Sequence, residues 1–179
     1  CNACRYCEGY CAVFPALQST GIGEQAVRRA WKAFHSGMWQ IGELIVAWNR
    51  YMEEQQRWQP RCYEGYGAMA VDTTPFWRPK LQGLSSKYYQ REKKKALPAV
   101  IVGLVARIGE VAGKRIALPH TILRVDPQDP SEAALKKELL NQVSRILKAS
   151  DIMLVDAGFK IKGCQEAQVP RYLLRLAKN

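Results

Sequence analysis

From Ile22 to Ala33 the apolar positions keep a helical rhythm, and Gly37 breaks the run. Ile41, Leu44, Ile45, Trp48 and Met52 then recur at helical spacing, which predicts a second amphipathic helix over about 39–57. Trp31, Trp39, Trp48 and Trp58 punctuate this stretch, and aromatics at such spacing are expected in a core rather than on a binding surface. The period then changes. Gly67 to Thr74 (GAMAVDTT) is a short apolar strand pattern that closes on Asp72 and runs into Pro75. Pro98 to Arg107 (PAVIVGLVAR) is a β-branched run typical of a buried strand. Gly109 to Gly113 can turn, and Lys114 to Leu118 can return as the hairpin partner.

A helix signal follows. Asp129 fits an N-cap, Pro130 the first helical position, and Glu132 stands three after the cap. Leu135, Leu139, Leu140, Val143, Ile146 and Leu147 supply one apolar face. Ile152 to Asp156 is a second apolar strand ending in a carboxylate, closed by Ala157-Gly158-Phe159. Ile161 to Gln168 reads as a short helix and Tyr172 to Ala177 as a last strand. Helices, three strands, then helix, strand, helix, strand: this order predicts an α/β fold with a mixed sheet flanked by helices. Carboxylates at strand ends on such a sheet lie at the rim, where ligands usually bind.

Composition narrows the class. The 179 residues are 47% hydrophobic and 24% charged, which is globular and excludes wholesale disorder. The longest near-apolar run, Ala96 to Ala106, falls far short of the roughly 20 residues of a membrane-spanning helix, so no membrane span is expected. Lys plus Arg number 27 against 16 Asp plus Glu, a formal charge of +11. That surplus suggests a polyanionic partner, nucleic acid before an anionic membrane surface. Arg78, Lys80, Lys87, Arg91, Lys93, Lys94 and Lys95 form a basic loop interrupted by Glu92 alone and interleaved with Tyr88 and Tyr89. Such a loop can hold phosphates while its tyrosines stack on bases, although a solvated charge run is the plainer account of Lys93-Lys94-Lys95.

Two chemistries stand out. Asp72 and Asp156 each close an apolar strand, and on neighbouring strands their carboxylates would converge at one sheet edge. Hard oxygen donors without a nearby histidine suit Mg2+ or Mn2+, which can activate a water or a 3′-hydroxyl against a phosphodiester. Either aspartate alone is better explained as a turn former; the pair is not. The second chemistry is at the front. Cys1, Cys4, Cys7 and Cys11 have the spacing of bacterial ferredoxin ligands, with half a zinc site as the alternative, whereas Cys62 and Cys164 stand alone. Their clustering points to metal ligation in a reducing compartment rather than to disulfides.

AVDTT (70–74), ALPAVIVGLVARI (96–108), IMLVDAGF (152–159) and RYLLRLAKN (171–179) resemble insertion-sequence transposases of the DDE type. The resemblance covers residues 22 to 179. It implies an RNase H-like fold, with Asp72 and Asp156 as the first and second metal-binding acids. It also implies Mg2+ or Mn2+ as cofactor, element ends and target DNA as partners, a homo-oligomer, and the bacterial cytoplasm as location. The family's third acid is a Glu on a helix well beyond the second Asp. Glu166 is too near to be that residue, and the signature-like Tyr89-Gln-Arg-Glu-Lys93 falls before the second Asp. The expectation is therefore a catalytic domain incomplete at its C-terminus and inactive alone.

CNACRYCEGYCAVFPAL (1–17) is similar to a cysteine motif of the iron–sulfur protein of citrate and tricarballylate utilisation, which implies Cys1, Cys4, Cys7 and Cys11 as [4Fe–4S] ligands. Here Ala follows Cys11 where the family has Pro. The expected organisation is a cysteine-rich remnant over 1–20, a helical segment over 21–60 and a partial RNase H-like catalytic domain over 61–179. Gln18-Ser19-Thr20-Gly21 is the junction between the first two, and a mobile element inserted into an iron–sulfur protein gene, read through there, would account for it. The rival functions are an electron carrier and a DNA-binding fragment without catalysis.

Overall fold

A computed structural model describes residues 18, 21–78, 80, 83–126 and 128–175. The chain divides into two compact units, Cys1–Leu44 and Ile45–Asn179. In the first, α1 (Glu24–His35) begins after Gly23, carries an exposed Arg28–Glu24 ion pair at 2.7 Å, and ends as Gly37 takes φ +64°. The glycine is needed there because a Cβ disfavours the left-handed region.

Helix α2 (Ile41–Glu54) starts in the first unit and continues into the second. Its apolar stripe is not swallowed by a core. Ile45 is the one buried residue of the helix, while Trp48 is 47% exposed and leans on Tyr51, ring centroids 5.9 Å apart. Trp39 is also exposed, and Trp58 is half-buried with its indole N–H donating to Ile116 O. The expectation that these tryptophans lie in a core therefore fails for Trp39 and Trp48. In the second unit the helix meets the sheet through a polar contact, Asn49 Nδ2 donating to Pro119 O.

The second unit is built on a mixed sheet. Its strands are β1 (Gln59–Pro60), β2 (Cys62–Tyr63), β3 (Tyr66–Trp77), β4 (Lys87–Gln90), β5 (Lys95–Val111), β6 (Lys114–Arg124), β7 (Asp151–Val155) and β8 (Tyr172–Leu174). The central order is β6-β5-β3-β7-β8, with β5 antiparallel to both β6 and β3, and β3, β7 and β8 parallel. The hairpins account for the antiparallel half; a parallel return needs a crossover, here α3 (Glu132–Ile146) before β7 and α4 (Ile161–Glu166) before β8. Among the described residues no helix is long and apolar enough to cross a membrane.

The core lies between the sheet and α3. Met69, Val71, Ile101, Val105, Met153 and Val155 meet Leu135, Leu139, Leu140 and Val143. Burying each of these helix side chains stabilises the fold by about 2 kcal/mol relative to exposure. Gly103 lies opposite Thr73 in β5, and a Cβ there would run into the Leu139 side chain, which explains a glycine inside a β-branched run.

Several boundaries differ from the sequence expectation. Strand β3 does not close on Asp72: it continues to Trp77 along β5, while its pairing with β7 stops at Val71–Val155. Past that point β3 has no β7 neighbour, so Pro75 is tolerated where a missing N–H removes no ladder bond. Strand β6 runs on past Leu118 to Arg124; Pro119 is accommodated by a bulge that sets Pro119 opposite Ala106 and Thr121 opposite Val105, with His120 as the extra residue. Helix α3 is capped by Ser131, whose Oγ accepts the Ala134 N–H at 3.1 Å, and not by Asp129. A hydroxyl three residues before a free helical N–H caps better than a carboxylate held outside by Pro130.

Candidate functional site at the edge of paired strands

Val71 and Val155 are the last paired residues of the parallel β3–β7 ladder, so Asp72 and Asp156 are the next residue on each strand, at the point where the two chains part. Neighbouring strands run about 4.8 Å apart. Both valines face the α3 core, and both aspartates are exposed. Each carboxylate is held by the backbone through one oxygen. Asp72 Oδ1 accepts the Thr73 N–H and Asp156 Oδ1 the Gly158 N–H, both at 2.8 Å. Asp156 thus also serves as the turn former that its Asp-Ala-Gly context suggests.

A third carboxylate is tied to β3 through Thr73, the residue after Asp72. Glu132, in the first turn of α3, accepts the Thr73 hydroxyl at 3.2 Å, and Lys136 one turn on donates to the same Oε1 at 2.6 Å. Lys136 Nζ also donates to Gly158 O at 2.9 Å, tying the head of α3 to the loop that carries Asp156. Tyr88, from β4, completes the cluster. Burial pushes its hydroxyl above the usual tyrosine range; Glu132, Asp156 and Asp72 push the same way, and Lys136 opposes them. All four charges therefore act on one phenol. Sequence reading assigned Glu132 to helix capping. The available signal was a first-turn glutamate with a lysine at i+4, on a helix leading into the strand that ends at Asp156.

The donor set suits a hard divalent ion. Among the described residues Oδ2 of Asp72 and of Asp156 has no hydrogen-bond partner, and Mg2+ commonly binds through one or two carboxylates while keeping several waters. Among the described residues no group of three or more His, Cys, Asp or Glu side chains is arranged to hold a metal ion. Glu132 is paired with Lys136 through Oε1, whereas neither aspartate has an ion-pair partner among the described residues.

The basic segment is a hairpin rather than a loop. Strand β4 pairs with the start of β5 from Lys87–Pro98 to Gln90–Lys95, and the turn between them contains Arg91, Lys93 and Lys94. Alternation along β4 separates the two tyrosines. Tyr89 is 55% exposed, whereas Tyr88 packs on the core, its ring 6.2 Å from Trp77 and its carbonyl accepting the Trp77 indole N–H. Only Tyr89 is available for stacking. Arg78, Lys80, Lys87, Arg91, Lys93, Lys94 and Lys95 are all exposed. Cys1, Cys4, Cys7 and Cys11 lie outside the described residues. Cys62 is exposed; Cys164 is buried, and burial pushes its thiol up, away from the reactive form.

No family model matches the chain. Over 17 residues it is 88% identical to citrate utilization protein B of Escherichia coli, a match spanning 10% of this chain and 4% of that protein. Among solved structures, NurA with manganese aligns over 79% of this chain and 30% of its own at 12% identity, with a TM-score of 0.21. NurA bound to dAMP and manganese aligns over 75% of this chain and 28% of its own at 11% identity, with a TM-score of 0.17.

Proposed function

We propose that residues 61–179 belong to an RNase H-like catalytic domain of the DDE transposase kind, carry two of its three metal-binding acids, hold Mg2+ or Mn2+ and bind DNA, without cutting it alone. The observation that supports this is the register of β3 and β7, whose last paired residues, Val71 and Val155, immediately precede Asp72 and Asp156. The strand order supports it: an antiparallel β3-β5-β6 meander followed by helix-linked parallel strands β7 and β8 on the other side of β3. On this proposal the partner is DNA and the setting the bacterial cytoplasm.

The open oxygens of Asp72 and Asp156 would hold the ion. When bound, the ion supplies activation of a water or 3′-hydroxyl and stabilisation of the leaving oxygen. Backbone N–H groups of Thr73 and Gly158 orient the two carboxylates. Lys136 pins the Asp156 loop to α3, and the hairpin bearing Lys93, Lys94 and Lys95 offers cations to the DNA backbone. Titration with Mn2+ tests the assignment. Asp72→Asn and Asp156→Asn are each expected to weaken binding at least tenfold while the folded far-UV spectrum is kept. Unchanged affinity in both variants would remove the metal from this site.

The cysteine spacing favours a second reading, in which Cys1, Cys4, Cys7 and Cys11 ligate an iron–sulfur cluster. Iron and sulfide analysis of anaerobically purified protein tests it: bound iron that disappears in Cys4→Ser supports a cluster, and iron-free protein rules it out.

A further inference from the structure

A cleft of about 500 Å³ opens between α3 and α4, and one end of it lies beside the loop that carries Asp156. That end is made by Glu132, Lys136 and Gly158, the glycine whose N–H holds Asp156. Away from the carboxylates the rim turns basic. Lys136, Lys137, Lys160 and Lys162 line the cleft against two glutamates, Glu132 and Glu166. Both glutamates are already matched, Glu132 by Lys136 at 2.6 Å and Glu166 by Lys162 at 3.7 Å. Lys137 and Lys160 are exposed and have no ion-pair partner among the described residues. The floor is apolar: Leu140 and Phe159 lie there, both almost fully buried, with Ala167 beside them.

Apolar floor and cationic rim together match an amphiphilic anion. The volume falls within the range of about 300–1,000 Å³ typical of sites for one small organic group. A nucleotide unit has the matching parts, a flat base for the floor and phosphate oxygens for the ammonium groups. A closed duplex cannot offer its base to such a floor; an unpaired strand can. We infer that the α3–α4 cleft is a subsite for a single strand of nucleic acid, seating one nucleotide with its phosphates on Lys137, Lys160 and Lys162. The strand would continue past Lys136 to Asp156 and Asp72. This rests on the reading above for its substrate class, but it assigns contacts distinct from the β4–β5 hairpin.

Anisotropy of a 5′-labelled 12-residue oligothymidine, in EDTA and across a salt series, tests the subsite in the full chain. The Lys137→Gln/Lys160→Gln/Lys162→Gln variant is expected to bind about tenfold or more weakly, with the salt slope reduced by about 2. A separate variant, Asn141→Asp, adds one negative charge to the cleft lining without removing a lysine and should also weaken the strand. An unlabelled duplex of equal length is expected to compete less well than the unlabelled strand. Binding and slope unchanged in both variants, or no binding by the native chain, overturns the subsite. Mn2+ affinity measured without DNA separates the two ideas: lost strand dependence with intact metal binding sinks only the subsite, and the converse sinks only the metal centre.

Discussion

Lys136 and Glu132, one helical turn apart at the head of α3, form a 2.6 Å ion pair that is mostly shielded, with 20% and 29% of the two side chains exposed. The same ammonium donates to Gly158 O and lies 5.3 Å from the Phe159 ring centroid. One cation thus links the start of a helix, the turn after a parallel strand and the aromatic floor of a cleft. It also stands where its charge competes with any other cation for the surrounding carboxylates.

Replacing that cation gives the first prediction. Lys136→Met keeps most of the side-chain length and removes the charge. Loss of the ion pair should cost about 0.5–1 kcal/mol of stability, read by urea denaturation. Mn2+ should bind several-fold more tightly, because a nearby positive charge no longer opposes it. A weaker Mn2+ isotherm in the folded variant would mean that the hold of Lys136 on the Asp156 loop outweighs the repulsion of its charge.

Gly103 supplies a packing test. Its Cβ would enter the space of Leu139 Cδ1, a fully buried atom group with little room to move. Gly103→Ala should therefore destabilise the protein by about 1–3 kcal/mol despite the better strand propensity of alanine. The double variant with Leu139→Ala should show coupling, losing less than the two single changes added together. Additive losses would place the strain elsewhere.

Residues that close onto one another in sequence were legible, and those joined by register were not. The β5 run and the apolar face of α3 announce themselves through β-branched and helical periodicity, and both lie where periodicity puts them. Asp72 and Asp156 were visible because each interrupts an apolar run. Their adjacency depends on the parallel pairing of β3 with β7, a contact between distant segments that no local pattern encodes. Glu132 was hidden for a related reason: a first-turn glutamate is explained equally well by the helix dipole, and only the fold brings Thr73 to it. Leu44 and Trp48 of α2 show the opposite failure: both lie on the helical stripe and both are exposed, since periodicity reports that a face is apolar and not what covers it.

The cap of α3 separates two neighbouring residues. Ser131→Ala should lose about 1 kcal/mol, since the Ala134 N–H then has no side-chain acceptor. Asp129→Ala should change stability by less than about 0.5 kcal/mol, as expected for an exposed surface position. Chemical denaturation of both variants decides between them, and a larger loss at Asp129 would restore it as the cap.

Tyr88 gives the site a signature at alkaline pH. Its folded pKa is raised, first by burial and then by Glu132, so the phenol stays protonated in the folded chain at a pH where the unfolded chain releases the proton. The sign follows from linkage: stabilisation from the neutral phenol is complete below the unfolded value near 10, and is lost as pH rises toward the folded value. Stability measured by urea should therefore fall from about pH 10 upward, and Tyr88→Phe should flatten that fall. Spectrophotometric titration should show one tyrosine ionising later than the exposed ones, and that late step should be missing in Tyr88→Phe. Asp72→Asn removes one of the charges that raise Tyr88, so it should move the late step to lower pH without abolishing it. A late step that ignores Asp72 would mean that this carboxylate lies outside the field the phenol feels, leaving burial, Glu132 and Asp156 to hold it.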